Sequence, residues 1–458
     1  MRRRTAWLVG AGACVAAGIV CASVVLSKLS VTPAVADPPA ALRELLGENP
    51  QPIPLVRPPP TPLSAMAQLG RLVFFDASLS SSGRLSCASC HDPRHAYAAP
   101  GDQPVMRGGA LLSREGSRAV PSLMYLERQP IFSIGPDNEE RENANLVQLA
   151  ALARDTPRVQ KTAAQANQAA TNMVPQGGLF WDGRADTLQQ QALLPLLDSR
   201  EMDGGNLITV ADKLRRASYA ARFAQLFGDS IFADAGALVA EAMFAVGRYQ
   251  IEDTSFHPYT SKFDYWLEGK AQFTASELRG YELFNNPGKA NCAGCHVDRP
   301  SRDGLPPLLT DHQFEALGVP RNNALAVDRD PNYFDLGICG PYRADLSNER
   351  QYCGMFMTPT LRNVVTRHAF FHNGVYATLR AVLDFYAFRD TEPRRIYPRR
   401  ADGAVQKFDD LPRQYAVNVD FTDPPFDRKA GDPPAMTPRD EDDIMAFLNT
   451  LTDGYEAR

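Results

Sequence analysis

Cys87–His91, with the sequence CASCH, places two thiols and an imidazole within five residues, and the pattern recurs as CAGCH at Cys292–His296. Two cysteines at this spacing can each form a thioether bond to haem, and a histidine directly after the second can place its imidazole on the iron. One such pentapeptide rarely arises by chance, and two arise far more rarely. The pair therefore predicts two covalently bound haem c groups, with His91 and His296 as proximal iron ligands.

Two other uses of paired cysteines fit these motifs less well. A structural zinc site needs four ligands, usually from two neighbouring pairs, whereas these pairs lie far apart in the chain and a histidine follows each. A redox CxxC motif does not require a histidine at the same place twice. Haem attachment is the better interpretation, and the predicted attachment points are Cys87, Cys90, Cys292 and Cys295.

The N-terminus predicts export. A cationic start, MRRR, is followed by an uncharged apolar stretch at residues 6–26 and by a small-residue cleavage pattern at Ala34-Val35-Ala36. The apolar stretch is also long enough to span a bilayer as one helix. Both alternatives place the rest of the chain in the periplasm, either soluble or tethered to the inner membrane by residues 6–26. Haem attachment of this kind is completed outside the cytoplasmic membrane, which agrees with export.

Bulk composition limits the class of protein. The chain has 458 residues, 44% of them apolar, and a formal net charge of -5. It is long enough for two or three domains with ordinary cores, and its charge gives no basic surface of the kind that nucleic acid requires. Cys339 and Cys353 remain after the motifs are assigned. They are either two unrelated buried thiols or a disulfide worth about 3 kcal/mol by the chain-entropy argument.

The fold is predicted to be mainly α, with two cytochrome c-like haem domains and long irregular loops behind the export or anchor segment. A helix containing Gly70 precedes the first motif and a similar helix containing Gly280 precedes the second, which suggests a degenerate internal repeat. A further helix is expected after Thr437-Pro438, and the Pro393–Met436 loop is expected to border a site. The expected divisions are 1–36 signal or anchor, 37–62 proline-rich linker, 63–253 first haem domain and 254–458 second haem domain.

Two longer segments carry a resemblance to a known family. They are FWDGRADTLQQQALLPLLDSREM at Phe180–Met202 and TPTLRNVVTRHAFFHNGVYATLRAVLDFYAF at Thr358–Phe388. With the haem motifs, they make the chain resemble the bacterial diheme cytochrome c peroxidases, and among them the MauG-like enzymes, over nearly all of residues 63–455. The resemblance implies that the N-terminal haem reacts with hydrogen peroxide and that the C-terminal haem supplies electrons to it.

The resemblance also assigns roles to single residues. Trp181 matches the tryptophan between the two porphyrins, which relays electrons; from the residue alone, a tryptophan that fills the domain interface is the alternative. Glu201 matches the catalytic glutamate, which can take a proton from peroxide and return it to the departing oxygen. Gln191 and Pro195 match positions of the distal pocket. His372 matches a histidine near the C-terminal haem that pairs with a propionate.

Tyr386 is the position that distinguishes branches of the family. Typical peroxidases have methionine here as the sixth ligand of the C-terminal haem, whereas the MauG-like enzymes have tyrosine. A phenolate favours ferric and higher oxidation states, and a thioether favours ferrous iron. The helical pattern places Tyr386 on one face with Leu379 and Leu383. The alternative is a core tyrosine, with Met355 or Met357 as the ligand.

The sequence departs from the family pattern at two places, and each departure leads to a further expectation. Family members bind calcium between the domains through an asparagine, and Ala119 stands at the nearest match, so the resemblance does not support calcium. Typical peroxidases also carry a removable distal histidine after the first motif, and no histidine lies between His95 and Trp181. The first haem is therefore expected to be open without prior reductive activation.

Three functions follow as hypotheses. The first is a diheme peroxidase that takes electrons from a small cytochrome c or cupredoxin. The second is a MauG-like enzyme that oxidises aromatic residues of a partner protein through a high-valent diheme state. The third, a non-catalytic electron carrier with two six-coordinate haems, is disfavoured by Glu201 and by the missing distal ligand.

Overall fold

The computed structural model describes residues 46–136 and 173–457. The predicted export segment and the start of the linker lie outside the described residues. The described part of the chain is rich in helix and contains small two-stranded sheets, which agrees with the prediction of a mainly α fold. None of its helices has the length and apolar character needed to cross a membrane.

Helices and short antiparallel strands alternate with long loops. The helices are α1 Ala65–Phe74, α2 Cys87–Cys90, α3 Leu188–Leu197, α4 Leu207–Arg216, α5 Ala220–Phe227, α6 Ala235–Glu252, α7 Lys262–Leu267, α8 Ala275–Phe284, α9 Leu379–Phe388 and α10 Pro438–Asn449. The strands are β1 Arg107–Gly108, β2 Arg114–Glu115, β3 Ser133–Pro136, β4 Met173–Gln176, β5 Phe314–Glu315 and β6 Phe356–Met357, and they pair β1 with β2, β3 with β4 and β5 with β6.

Close packing of α1 on α6 builds the first core. Gly70 makes this approach possible, because a Cβ atom there would lie 1.8 Å from the carbonyl oxygen of Ala245. The buried side chains around this contact include Phe74, Phe223 and Tyr249. Since real Cβ atoms do not approach an oxygen so closely, glycine sets the distance between the two helices.

The second core repeats this arrangement with α8 and α10. A Cβ atom at Gly280 would lie 1.9 Å from the carbonyl oxygen of Asp443. The predicted start of α10 is confirmed, since the Thr437 hydroxyl accepts from Asp440 N in a capping box and Pro438 occupies the first turn. Phe447 on α10 is fully buried in this core. The repeat inferred from the glycines thus extends to the packing of whole helices.

In each half, a backbone hydrogen bond from a distant leucine holds the chain segment that follows the motif. In the first half, the backbone N–H of Leu123 donates to the carbonyl of Tyr97 at 3.2 Å. In the second half, the N–H of Leu361 donates to the carbonyl of Leu309 at 3.3 Å. These two carbonyls face the motif histidines, so the repeat extends to the immediate surroundings of both predicted haem sites.

The described end of the proline-rich linker lies against the second half of the chain. The N–H of Ile53 donates to the carbonyl of Leu267 at 2.9 Å, and Arg57 forms a bidentate ion pair with Glu268 at 2.8 and 2.9 Å. The carbonyl of Gly47 accepts from the Trp266 indole at 3.0 Å. Extended proline-rich backbone keeps its carbonyls free, which explains why this segment can dock without forming a helix or strand.

Cys339 and Cys353 form a disulfide with a Cα–Cα distance of 5.0 Å. Of the two alternatives that the sequence left open, the structure shows the bonded pair. The disulfide closes the loop that leads into β6. None of the four motif cysteines takes part in a disulfide, as haem attachment requires.

Candidate functional site

Both motif histidines are oriented by a backbone carbonyl. His91 Nδ1 lies 3.1 Å from the carbonyl oxygen of Tyr97, and His296 Nδ1 lies 3.0 Å from that of Leu309. A carbonyl only accepts hydrogen bonds, so each Nδ1 donates and each Nε2 keeps its lone pair for a metal. Burial lowers the pKa of both imidazoles to about 4, so both are neutral at pH 7. This is the protonation state that binds iron.

A cavity of about 410 Å³ adjoins the second motif. Its wall contains Cys292, Cys295 and His296 of the motif and Tyr386 on α9. Burial raises the pKa of the Tyr386 phenol, and the charges of the two cysteines raise it further, which places the phenol close to the thiols. The predicted ligand set of the C-terminal haem is thus brought together around one cavity of the size expected for a cofactor.

The two methionines proposed as alternative ligands are already engaged elsewhere. Met357 also lines the cavity, but its sulfur accepts from the side-chain amide of Gln129 at 3.4 Å. Met355 packs with the cluster around Phe314 and Ile338. The geometry therefore favours Tyr386 as the axial ligand, and its coordination stays a prediction.

The internal repeat explains why only one half carries this tyrosine. Thr187 caps α3 and Thr378 caps α9, each accepting from the backbone N–H three residues later. The eighth residue after the cap is Pro195 in the first half and Tyr386 in the second. Proline has no group that binds iron, so the position that offers a phenol in the second half offers no ligand in the first. This supports the expectation of an open first haem.

Glu201 lies beside the first motif. Burial raises the pKa of the Cys90 thiol to about 12, and the Glu201 charge adds to the rise, so the two groups are close. The pKa of Glu201 itself is raised to about 7, first by burial and then by the charge of Asp198, against the opposing charges of Arg184 and Arg200. A carboxyl that titrates near neutral pH beside a reaction site can both accept and donate a proton.

Strand β1 fixes the backbone at Glu201. Gly109 N donates to the Glu201 carbonyl at 2.8 Å, and a Cβ atom at Gly108 would lie 2.2 Å from the same oxygen. Met202 N in turn donates to the carbonyl of Pro195 at 3.1 Å, which joins this segment to α3. The carboxyl is therefore held on a rigid support next to the position where the first half lacks a ligand.

Trp181 lies in the wall of the large cavity and also lines a second cavity of about 80 Å³. Its indole N–H donates to the carbonyl of Ala119 at 2.8 Å, and its own carbonyl accepts from Met357 N at 3.0 Å. It is 7% exposed. The predicted position between the two halves is thus matched by contacts to both.

Gln191 and His372 occupy different places. Gln191 is buried on α3 and lines the smaller cavity with Trp181. His372 lines the large cavity, stacks on Phe356 with ring centroids 3.6 Å apart, and has no hydrogen-bond partner at Nε2 among the described residues. This nitrogen lies 3.8 Å from a carboxylate oxygen of Asp410. A free, buried ring nitrogen at a cofactor cavity suits the predicted pairing with a propionate.

Two buried arginines near Trp181 were missed by sequence reasoning. Arg118 joins both halves, since it bonds Asp182 at 2.7 Å and Asp335 through two bonds of 2.7 Å. Burial acts to raise the pKa of Asp335, but Arg118 outweighs it and holds that pKa below its ordinary value. Arg367 lines both cavities. No sequence motif marks Arg118 or Arg367, so no local signal could have found them.

The donor sets fit haem in both halves. Each half offers two thiols outside any disulfide and a neutral imidazole with Nε2 available, and the second half adds a cavity of suitable size whose wall includes the Tyr386 phenol. The Pro393–Met436 loop contributes Asp410, Phe426 and Met436 to that cavity, as predicted. No group of three or more His, Cys, Asp or Glu side chains within the described ranges could hold a separate metal ion.

Comparisons with known proteins agree with this geometry. The family model described as di-haem cytochrome c peroxidase matches residues 64–272. The chain is 31% identical over 325 residues to the methylamine utilization protein MauG of Paracoccus denitrificans, covering 70% of this chain and 74% of that protein. It is 28% identical over 327 residues to the cytochrome c551 peroxidase of Nitrosomonas europaea, covering 71% and 73%.

Solved structures show the same likeness. The diheme peroxidase BthA from Burkholderia thailandensis superposes with a TM-score of 0.71 at 35% identity, covering 89% of this chain and 92% of that one. A MauG-like protein associated with microbial copper homeostasis superposes with a TM-score of 0.55 at 23% identity, covering 88% and 95%. The fold is therefore the one found in diheme peroxidases.

Proposed function

Because this chain belongs to the di-haem cytochrome c peroxidase family, we propose that it binds two haem c groups and reduces hydrogen peroxide at the first with electrons passed through the second. Its relatives are enzymes, which favours catalysis over pure electron carriage. The observation that carries the proposal is the difference at one helical position, where Pro195 offers no ligand beside Glu201 and Tyr386 offers a phenol.

One haem held by Cys87, Cys90 and His91 and a second held by Cys292, Cys295 and His296 would supply the redox chemistry. The protein supplies the proton. Glu201, with a pKa raised to about 7, is partly ionised at neutral pH and can take a proton from hydrogen peroxide. The same carboxyl can then return that proton to the departing oxygen. Gln191 borders the smaller cavity and is proposed to orient groups there by its amide.

Trp181 is proposed to relay electrons between the two sites. Its place in the walls of both cavities and its hydrogen bond to Ala119 support this role. Arg118 forms an ion pair with Asp182, the residue directly after Trp181, and this contact holds the segment that carries the indole.

The ferric protein tests the proposal. We expect its electron paramagnetic resonance spectrum to contain one high-spin and one low-spin haem, because the first site has an open face and the second has two protein ligands. Hydrogen peroxide should oxidise reduced cytochrome c only when the enzyme is present. Two low-spin haems and no turnover would leave only the carrier hypothesis.

A second candidate function, MauG-like oxidation of aromatic residues in a partner protein, is favoured by Tyr386. A phenolate ligand stabilises ferric and higher oxidation states, which suits an enzyme that stores oxidising equivalents. Peroxide added without a donor should then produce a long-lived near-infrared charge-resonance band. Rapid turnover with reduced cytochrome c and no such band points to ordinary peroxidase work.

The remaining assignments rest on the sequence alone and stay proposals. We propose hydrogen peroxide as substrate, and either a small redox protein or a protein substrate as partner. Export to the periplasm and tethering by residues 6–26 rest on residues outside the described ranges. The division into haem domains at residues 63–253 and 254–458 also stays a prediction, although the buried residues of the two large hydrophobic cores, apart from Leu308 in the first, fall on either side of about residue 260.

A further inference from the structure

Arg367 lies between the two halves of the molecule. It borders the large cavity that contains His296 and Tyr386, and it also borders the smaller cavity that contains Gln191. Its guanidinium carbon is 5.9 Å from the centre of the Trp181 ring. The side chain is half-buried and lines both cavities.

Few protein groups stabilise the positive charge of Arg367. One guanidinium nitrogen donates to the carbonyl of Val120 at 3.4 Å, and no carboxylate oxygen of the described residues lies within 4.0 Å. Arg362 and Arg389 are buried and Arg118 is nearly so, and each contacts an aspartate at 2.7 Å. Arg367 is placed like them but lacks their counter-charge in the described part of the chain.

An unpaired, half-buried cation in an apolar cavity wall is costly. Burial lowers the pKa of Arg367 to about 10, which still leaves the group protonated at neutral pH. Buried charges in proteins are normally paired or hydrogen-bonded, because a desolvated ion costs several kcal/mol. A contact to the Trp181 ring at 5.9 Å offsets only part of this cost. The missing partner should therefore be an anion held in the cavity.

We propose that Arg367 is a positioning residue that pairs with a propionate carboxylate of the second haem and holds a positive charge beside Trp181. The inference rests on the proposed function, since it requires a haem in the cavity next to His296. A guanidinium suits this task because its planar N–H groups match a carboxylate. The fixed charge stabilises the electron-rich ferrous state of that haem relative to the ferric state.

The test uses the holoenzyme with three variants. Arg367→Gln removes the charge and keeps an amide that can bond Val120, Arg367→Lys keeps the charge, and Arg84→Gln removes an exposed arginine as the matched control. Haem content is measured by mass, and the midpoint potential of each haem by spectroelectrochemistry. In Arg367→Gln we expect the ferric to ferrous ratio of the second haem at fixed potential to rise about tenfold, which is 59 mV for a one-electron couple. Arg367→Lys should retain most of the wild-type potential, and Arg84→Gln all of it.

Each outcome decides the question. An unchanged potential in Arg367→Gln with both haems bound overturns the inference, as does an equal shift in Arg367→Gln and Arg367→Lys, which would indicate lost packing. Loss of the second haem from Arg367→Gln alone supports the pairing, whereas loss from both variants overturns it. A wild-type protein without two haems would instead count against the proposed function.

Discussion

Glu201→Gln is the substitution that tests the proposed chemistry most directly. The pKa of Glu201 is raised to about 7, so its ionised fraction is about one tenth at pH 6 and about nine tenths at pH 8. If the carboxylate must accept a proton from peroxide, the rate constant for reaction with peroxide rises with pH in the same proportion. Glutamine keeps the shape but cannot accept the proton. We expect a loss of about 10²–10⁴-fold at pH 8 and a flat pH profile.

Rapid mixing of the ferric holoenzyme with hydrogen peroxide between pH 5 and pH 9 measures this rate constant. Two neighbours provide controls of opposite sign. The charge of Asp198 disfavours ionisation of Glu201, so Asp198→Asn should move the midpoint of the profile to lower pH. The charge of Arg184 favours ionisation, so Arg184→Gln should move the midpoint to higher pH.

Two results would refute this reasoning. One is a midpoint near pH 7 that persists in Glu201→Gln, because another group would then carry the proton. The other is a shift of the Asp198→Asn and Arg184→Gln profiles in the same direction. Haem content and the ferric spectrum must match those of the wild type for either result to count.

Three further predictions concern the second site, the gap between the sites and the fold. Tyr386→Met should raise the midpoint potential of the second haem with retained haem content. An unchanged ferric spectrum would show that the phenolate does not coordinate the iron. Trp181→Phe should slow electron transfer from the second site to the first in rapid-mixing experiments without changing haem content; an unchanged rate would leave the indole a packing role. Gly280→Ala should lower the free energy of unfolding by about 1–3 kcal/mol in urea titrations, because its Cβ would lie 1.9 Å from the Asp443 oxygen. Gly288→Ala, where the nearest atom is a side-chain oxygen at 3.3 Å, should stay within about 0.5 kcal/mol of the wild type.

The features that could be predicted from the sequence are those set by local chemistry. Helix α10 follows from its threonine cap and proline, and the paired glycines Gly70 and Gly280 mark the same helix contact in both halves. The motif histidines follow from their neighbouring cysteines. In each case a short stretch of chain contains all the residues that decide the outcome.

Contacts between distant segments could not be predicted in this way. Arg118 is an ordinary arginine in the sequence, and its role becomes visible only when the fold brings Asp182 and Asp335 to it. The correspondence of Pro195 with Tyr386 is neither a purely local feature nor a contact between distant segments. Both follow a Thr-Leu pair at the start of a helix, so alignment of the two halves of the chain could have found it.

The docking of residues 47–57 on the second half has a consequence for dividing this protein. The segment precedes the first core in sequence but covers part of the surface of the second, through Gly47 and Arg57. Cutting the chain near residue 254 therefore does not yield two self-contained fragments, since the C-terminal piece would expose the ring of Trp266 that the N-terminal piece normally shields. An autonomous C-terminal unit would need residues 46–62 supplied as well, either in trans or by circular permutation.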